Sequence, residues 1–559
     1  MKPIPYLPAL LALAFLASCS KQSKVPVPAD AAMVLHVDGR ALQSKLSWEE
    51  FKQGELYKIA AGEAEGELTK KILDHPDSSG VDLASDLFLF IRNRGTGTYI
   101  GFTCPVKDEK LFNSYITRAA NGETITKHGD LSVISSGNSV LTWNDKRIVA
   151  ISADPSPGPG HGFGKMNRQK PITPDSLVKF AAEVYSLSGS NSIGSNKHFV
   201  AMMKDTGDAH IWINPGSLAG SMRNPLLSLA KTDVLTNGNY AAATLHFDQG
   251  KITVDVKSYY NKKLETLYEK YKPENLDADM LKNIPAGDVT AVMAAKYHPQ
   301  ALRDLLVLVG LDGFANGYLG KAGLSLDDFV KANKGDLLFA VSDFGMAGKE
   351  IYPPLSNLGQ RLPHNISRPD AKILFATSVA DKASFEKLVT LLQTKIAEGG
   401  EKLQAIAGRV PYVLNDKWFI AGTDSVMVHT YGATSTNHPF ISKIIGHPMG
   451  GYIDFRHAIA GTRPMADSAF SPLVNESLHF WEDVVFYGGE RKDDAMESHF
   501  EINLKDKSTN SLKQLNTYLG RMARTMMNER KRRGEETMRQ WQESIPDNVI
   551  IEGPKLRRK

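Results

Sequence analysis

The residue with the most definite chemistry is Cys19. It closes Leu16-Ala17-Ser18-Cys19, behind an apolar run from Leu7 to Leu16 and a single positive charge at Lys2. Small residues before a lone early cysteine form a lipobox, where a signal peptide is cut and the cysteine is acylated. The apolar core is about ten residues, half of the roughly 20 that a bilayer span needs. Pro3, Pro5 and Pro8 also oppose a membrane helix. Residues 1–18 are therefore expected to be removed. Residues 19–28, polar and proline-bearing from Ser20 to Pro28, then form a lipidated tether. Each buried methylene contributes roughly 0.8 kcal/mol, so several acyl chains hold a protein at a membrane that it does not cross.

No other motif points to a reaction. The chain has no His-Glu-x-x-His, no paired Cys-x-x-Cys, no Gly-x-Ser-x-Gly and no Gly-x-x-x-x-Gly-Lys-Ser/Thr. Gly160-His161-Gly162-Phe163-Gly164-Lys165 lacks the hydroxyl that should follow the lysine of a phosphate loop. His438, His447 and His457 are spaced more widely than metal ligands usually are. Asp454 near His457 has the types of a proton relay, but it falls where a strand gives way to a helix. Asp493-Asp494 reads as an exposed turn. With Cys19 lipidated, Cys104 is the only thiol left. It lies in the strand-like Tyr99-Ile100-Gly101-Phe102-Thr103-Cys104, so it reads as a buried structural cysteine that forms no disulfide. The expectation is a protein that is not an enzyme and has no cofactor, catalytic residue or metal site.

What the chain must position is thus a body, and its pattern is repeated. Phe102, Val106, Asp108 and Phe112 correspond to Phe375, Val379, Asp381 and Phe385 at an offset of 273. Both sets read as a strand, an aspartate turn, and a helix burying a phenylalanine in its first turn. Asn144-Asp145-Lys146 with Ala150 recurs as Asn415-Asp416-Lys417 with Ala421 at an offset of 271, each a tight turn between strands. Asn196, Phe199, Ala219 and Gly220 match Asn437, Phe440, Ala460 and Gly461 at an offset of 241. A Pro/Gly-rich insertion, Pro155 to Pro174, takes up most of the difference, and Tyr352 to Pro369 is a loop of the second half. The predicted fold class is α+β. It has two duplicated units, each an antiparallel sheet with helices packed on one face, plus a C-terminal amphipathic helix. The expected divisions are a first unit at 29–263, a linker at 264–281, a second unit at 282–510, and a helix with a basic tail at 511–559.

In that tail Leu512, Leu515, Leu519, Met522 and Met526 form one helical stripe. Beyond it come Arg530, Lys531, Arg532 and Arg533. The residues from Arg521 onward carry 11 Lys/Arg and 6 Asp/Glu, so the excess charge of a +4 chain is concentrated there. The bland reading is a docked helix with a solvated end. The functional reading is contact with anionic headgroups or an acidic envelope partner, each basic residue near such a surface contributing about 1 kcal/mol. Nucleic acid is not expected, because the body carries no basic excess.

The lipobox, the tether, the entry Val27-Pro28-Ala29-Asp30-Ala31 into Met33-Val34-Leu35-His36-Val37-Asp38, and the twofold layout resemble large Bacteroidota lipoproteins. These are the domain-of-unknown-function 4836 family. The resemblance implies architecture and location, and carries over no catalytic residue. Lys296 stands where Asp38 would be repeated. By resemblance to Gram-negative lipoproteins, Ser20 after the cysteine implies the outer membrane, and the basic stretch after it implies the periplasmic face. The expected function is a membrane-anchored cell-envelope lipoprotein, a non-catalytic binding or scaffold protein. The alternatives are an envelope hydrolase with a site in the groove between the units, or a solute-binding lipoprotein.

Overall fold

The computed structural model describes residues 25–63, 74–94, 97–120, 123–153, 173–218, 231–284, 287–321, 323–351, 364–398, 410–433, 435–462 and 471–543. The expected signal peptide, Cys19 and nearly all of the Pro155–Pro174 insertion lie outside the described residues.

Two of the strands end where an aspartate, Asp38 or Asp454, caps the helix that follows. The first-half strands are β1 (Met33–Asp38), β2 (Asp86–Arg94), β3 (Gly97–Pro105), β4 (Thr126–His128), β5 (Leu131–Ser136), β6 (Ser139–Trp143), β7 (Arg147–Ala153), β8 (Ala209–Ile213), β9 (Tyr240–Asp248) and β10 (Lys251–Tyr259). The second-half strands are β11 (Val289–Lys296), β12 (Asn333–Ile351), β13 (His364–Val379), β14 (Tyr412–Leu414), β15 (Trp418–Gly422), β16 (Met449–Asp454), β17 (Trp481–Lys492) and β18 (Ala495–Leu504). Residues 364–369, the far end of the loop expected from Tyr352 to Pro369, belong to β13, and the rest of that stretch lies outside the described residues. β1 stops because the Asp38 side chain accepts from Arg40 N and Ala41 N and starts a helix. Asp38 is a cap, and no acid is needed at Lys296. A Cβ on Gly39 would lie 2.1 Å from the Leu83 carbonyl oxygen, so only glycine fits this exit.

All these strands pair antiparallel in one 18-stranded sheet. Followed by its pairings, the order is β4-β5-β6-β7-β3-β2-β1-β8-β9-β10-β18-β17-β16-β11-β12-β13-β15-β14. The sequence implied a separate sheet in each half; instead the last strands of the halves, β10 and β18, pair with each other. One row of directly opposed residues crosses most of the sheet. It runs Val149, Thr103, Phe88, His36, His210, Thr244, Asp255, His499, Tyr487, Gly450, Ala294, Leu338, Ala376, Ile420.

The helices that matter for packing are α1 (Glu55–Glu63), α2 (Glu109–Ala119), α3 (Pro174–Ser186), α4 (Lys197–Met202), α5 (Ala278–Lys282), α6 (Lys382–Glu398), α7 (Ile441–Ile444), α8 (Phe455–Gly461), α9 (Ser471–Phe480) and α10 (Ser511–Glu543). On the face of the long row, α3 and α4 bury Leu177, Ala181, Phe199 and Met202 against Val34, Phe88, Phe90 and Trp212. In the second half Met280, Leu281, Ile441 and Ile444 cover Val292, Leu338, Leu374 and Ile420. The end of the 264–281 stretch is therefore part of the second core. Helices also reach the other face. α2 buries Phe112 and Ile116 against Cys104 and Ile148, and α6 buries Phe385 against Val379 and Phe419. These partners sit at the alternate parity of their strands, and so on the opposite side.

α10 is a helix as its spacing implied, but the stripe Leu512 to Met526 is only partly covered, with Leu512, Leu515 and Met522 half-buried. Leu519 and Met526 are 43% and 59% exposed, while Ser511, Asn516 and Gly520 are buried. The helix approaches α1 through Gly520. A Cβ on Gly520 would meet Glu55 Cβ at 2.7 Å. Tyr518 stacks on Phe480 of α9 at 4.3 Å between centroids, so α10 touches both halves.

Candidate functional site

Among the described residues an open cavity of about 730 Å³ lies over the sheet where β10 meets β18. Its floor is β9, β10, β18 and β17. One wall is the segment after α4, with Asp205 and Thr206; the other is His447, just after α7.

Strand alternation sets the floor. Thr244, Asp255, His499 and Tyr487 are neighbours on the long row and point to the same side. His499 Nδ1 lies 2.7 Å from Asp255 Oδ1, and His246 Nε2 lies 3.8 Å from Asp255 Oδ2. On the first-half wall, Lys257 Nζ holds Asp205 Oδ2 at 2.7 Å. On the second, His447 pairs with Glu490. The Tyr487 ring stands between two imidazoles, 4.4 Å from His447 and 5.1 Å from His499 between centroids. Burial, then the Glu501 carboxylate, pushes the Tyr487 phenol above its usual range, so it stays protonated and can both donate and accept. The result is a polar floor with one aromatic body. It offers carboxylate, imidazole, ammonium and phenol groups, most of them partnered side by side. It suits recognition of a polar ligand with donors and acceptors of its own. Among the described residues no group of three or more His, Cys, Asp or Glu is placed to hold a metal ion.

The three histidines singled out by sequence do not meet. His447 belongs to the groove, His457 packs on the helix cap of Asp454 at 3.2 Å, and His438 stacks on Phe440. The Asp454 side chain accepts from Arg456 N and His457 N, so its place at a strand-to-helix junction is that of a cap. Asp493 turns the β17–β18 hairpin at a φ of 53°, and Asp494 reaches across to Lys197 at 3.2 Å. Cys104 is 1% exposed, and burial pushes its thiol up to about 12. Cys19 lies outside the described residues. Arg530, Lys531, Arg532 and Arg533 are exposed on α10, where Glu529 and Glu536 engage Arg532, and Glu529 also engages Arg533 at 3.3 Å. Sequence reasoning missed His246, Asp255, Lys257, Tyr487 and His499. The available signal was a polar face of period two, Thr253-Asp255-Lys257 and Glu497-His499-Glu501, in the last strand of each half.

The fold and site define an α+β protein with a large antiparallel sheet and a polar groove over its centre. Residues 24–285 match a family model described as Domain of unknown function (DUF4836). This supports, over that part of the chain, the family resemblance drawn from the sequence. No curated protein matches the chain. Among solved structures, crystal forms I, III and IV of TP0453 match at 10% identity with TM-scores of 0.23 to 0.24. They cover 45% to 46% of this chain and 87% to 90% of that one, and the likeness is too low to define a shared fold.

Proposed function

We propose that this chain is a cell-envelope lipoprotein held at the outer membrane, on its periplasmic side, through acylated Cys19. Its body is a non-catalytic binding or scaffold protein built from two duplicated α+β units. The groove over the β10–β18 seam is its binding site. Arg530, Lys531, Arg532 and Arg533 lie beside anionic headgroups or an acidic envelope protein.

The observation that carries the binding site is the shared origin of the groove. Each half contributes two floor strands and one wall, so the site exists only in the whole chain. Pairing registers support the duplication. Counted outward from Asp255 and His499, Thr103 and Ala376 stand at the same step, as do Val149 and Ile420. Their separations are the offsets of 273 and 271 that the sequence motifs give. The Asn144 and Asn415 side chains also make the same turn, each accepting from the backbone N–H groups two and three residues on.

A photo-crosslinking residue at position 487 tests the groove in cells. The expected result is a discrete adduct with an envelope component, absent when the same residue replaces Tyr412 at the sheet edge. Identical adduct patterns at both positions would remove the groove from the proposal. For the anchor, Cys19→Ala should move the protein from the membrane to the soluble fraction. Unchanged membrane retention would end the lipoprotein reading.

A further inference from the structure

His36 of β1 and His210 of β8 face each other on the long row, and each is 3% exposed. Their Nδ1 atoms are 3.0 Å apart. His36 Nε2 lies 3.0 Å from Asp86 Oδ1, and His210 Nε2 lies 3.1 Å from the Asp205 carbonyl oxygen. The three contacts form a chain with one end in solvent, where the Asp86 side chain is 64% exposed. The other end is the backbone of a groove wall.

Proton counting fixes the state of this chain. The carbonyl oxygen only accepts, and so does an ionised carboxylate, so both outer ring nitrogens must carry hydrogen. The inner contact needs one hydrogen and no more. Two bare nitrogens repel each other, and so do two N–H groups. All three bonds form only with three protons on the four nitrogens, one more than two neutral rings hold.

We propose that His36 and His210 form a buried relay that holds one extra proton, with His36 cationic and His210 neutral, and that its charge state sets the position of the Asp205 wall of the groove. Control of ligand binding by this relay rests on reading the groove as the binding site; the relay itself does not.

The surroundings agree with that assignment. Asp86 is held below its usual range chiefly by its hydrogen bond to His36, which keeps it an acceptor beside an imidazolium. His210 is held below the usual imidazole range by burial and then by His36, as the neutral member should be. The other charged groups nearby are committed elsewhere or act at longer range. Asp38, opposite Asp86, caps its helix, and Asp208 is taken by Lys45 at 2.6 Å and by Phe247 N. Arg147 acts on Asp86 and His246 on His210 through charge alone. The Asp205 carboxylate is bound to Lys257, so a shift of its carbonyl is passed to the floor. When the extra proton leaves, two hydrogens must serve three contacts: His36 keeps its Nε2 hydrogen on the Asp86 carboxylate, and the proposal places the His210 hydrogen on the inner contact, which leaves His210 Nε2 bare against the Asp205 carbonyl oxygen.

Nitrogen-15 NMR of the histidine rings in the full chain reads charge and tautomer directly. Near pH 6.5, about the value for a free imidazole, His36 should report as imidazolium and His210 as the neutral form protonated on Nε2. The amide signals of Thr206 and Gly207 should follow the same proton as it is lost at higher pH, and His36→Gln should abolish that step. Two rings that titrate independently, two neutral rings near pH 6.5, or flat Thr206 and Gly207 signals would each overturn the relay. The wild-type titration decides the matter alone if His36→Gln does not fold. No ligand is present in these measurements, so their failure leaves the groove reading standing. Failure of crosslinking at position 487 does the reverse.

Discussion

His198 packs against Tyr259 with ring centroids 3.9 Å apart and planes tilted by 32°, and 17% of its side chain is exposed. Burial holds its proton affinity below the usual range, with Asp494 at 3.4 Å opposing. A base that binds its proton more weakly folded than unfolded adds its full stability above the unfolded value of about 6.5, and that share is lost as pH falls. His198→Phe keeps a ring against Tyr259 and removes the titration. Between about pH 7.5 and about pH 5 the variant should therefore lose less stability than the wild type, read as the shift of the urea midpoint. Equal losses would show that His198 is charged as readily folded as unfolded. At this scale the sequence is legible where one residue decides its own neighbourhood. Cys104 inside an apolar strand is buried as its context implied, and Asn144 and Asn415 make their turns with their own side chains. His36 and His210 are 174 positions apart, so no local pattern joins them.

The C-terminal helix shows how an element can be legible while its contact face is not. The stripe from Leu512 to Met526 has helical spacing, and a helix is there from Ser511 to Glu543. Area alone would turn Leu519 and Met526 inward. Instead, Gly520 lets the backbone approach α1, and side chains then lock the position: Arg524 pairs with Glu55, Arg521 with Glu476 at 3.2 Å, and the Tyr518 hydroxyl bonds Ser477 at 2.8 Å. Two glycines of this one helix separate the effects. Among the described residues Gly534 has nothing within 4 Å, so Gly534→Ala should add helix at about 1 kcal/mol of propensity and leave the melting of the body unchanged. Gly520→Ala gains the same propensity, but its Cβ falls 2.7 Å from Glu55 Cβ and 3.0 Å from Leu56 N. Overpacking costs roughly 1–3 kcal/mol, so the body should melt at lower temperature despite the better helix former. Circular dichroism of the two variants, read at helix content and at midpoint, checks both signs. A Gly520→Ala variant as stable as wild type would mean that α10 does not press on α1.

Across the whole molecule the halves are joined by more than a linker. β10 and β18 pair from Lys251↔Asn503 to Ser258↔Met496, which makes one sheet of two. Asp494 binds Lys197, and α10 lies on both α1 and α9. The sequence could announce the strands at the end of each half but not their union, because an edge strand and a central strand share the same alternating pattern. Only the missing edge protection hinted at it. β10 and β18 carry no proline, and they place a carboxylate opposite an imidazole at Asp255 and His499 where a bare edge would need blocking. A seam of this kind should make the halves unfold together. Hydrogen exchange in rising urea should give one midpoint for peptides from β1 to β3 and for those from β11 to β13. Ile502 lies between Ile252 and Val484, so its N–H serves a ladder whichever side it faces. Ile502→Pro removes that donor from the centre of the sheet, a place where proline is not tolerated. The single transition should then split in two, with the groove lost in the first. If the wild type already shows two midpoints, the continuous sheet is not a cooperative unit and the groove must be held by α10 instead. If the variant keeps one midpoint, the ladder at Ile502 contributes little to joining the halves.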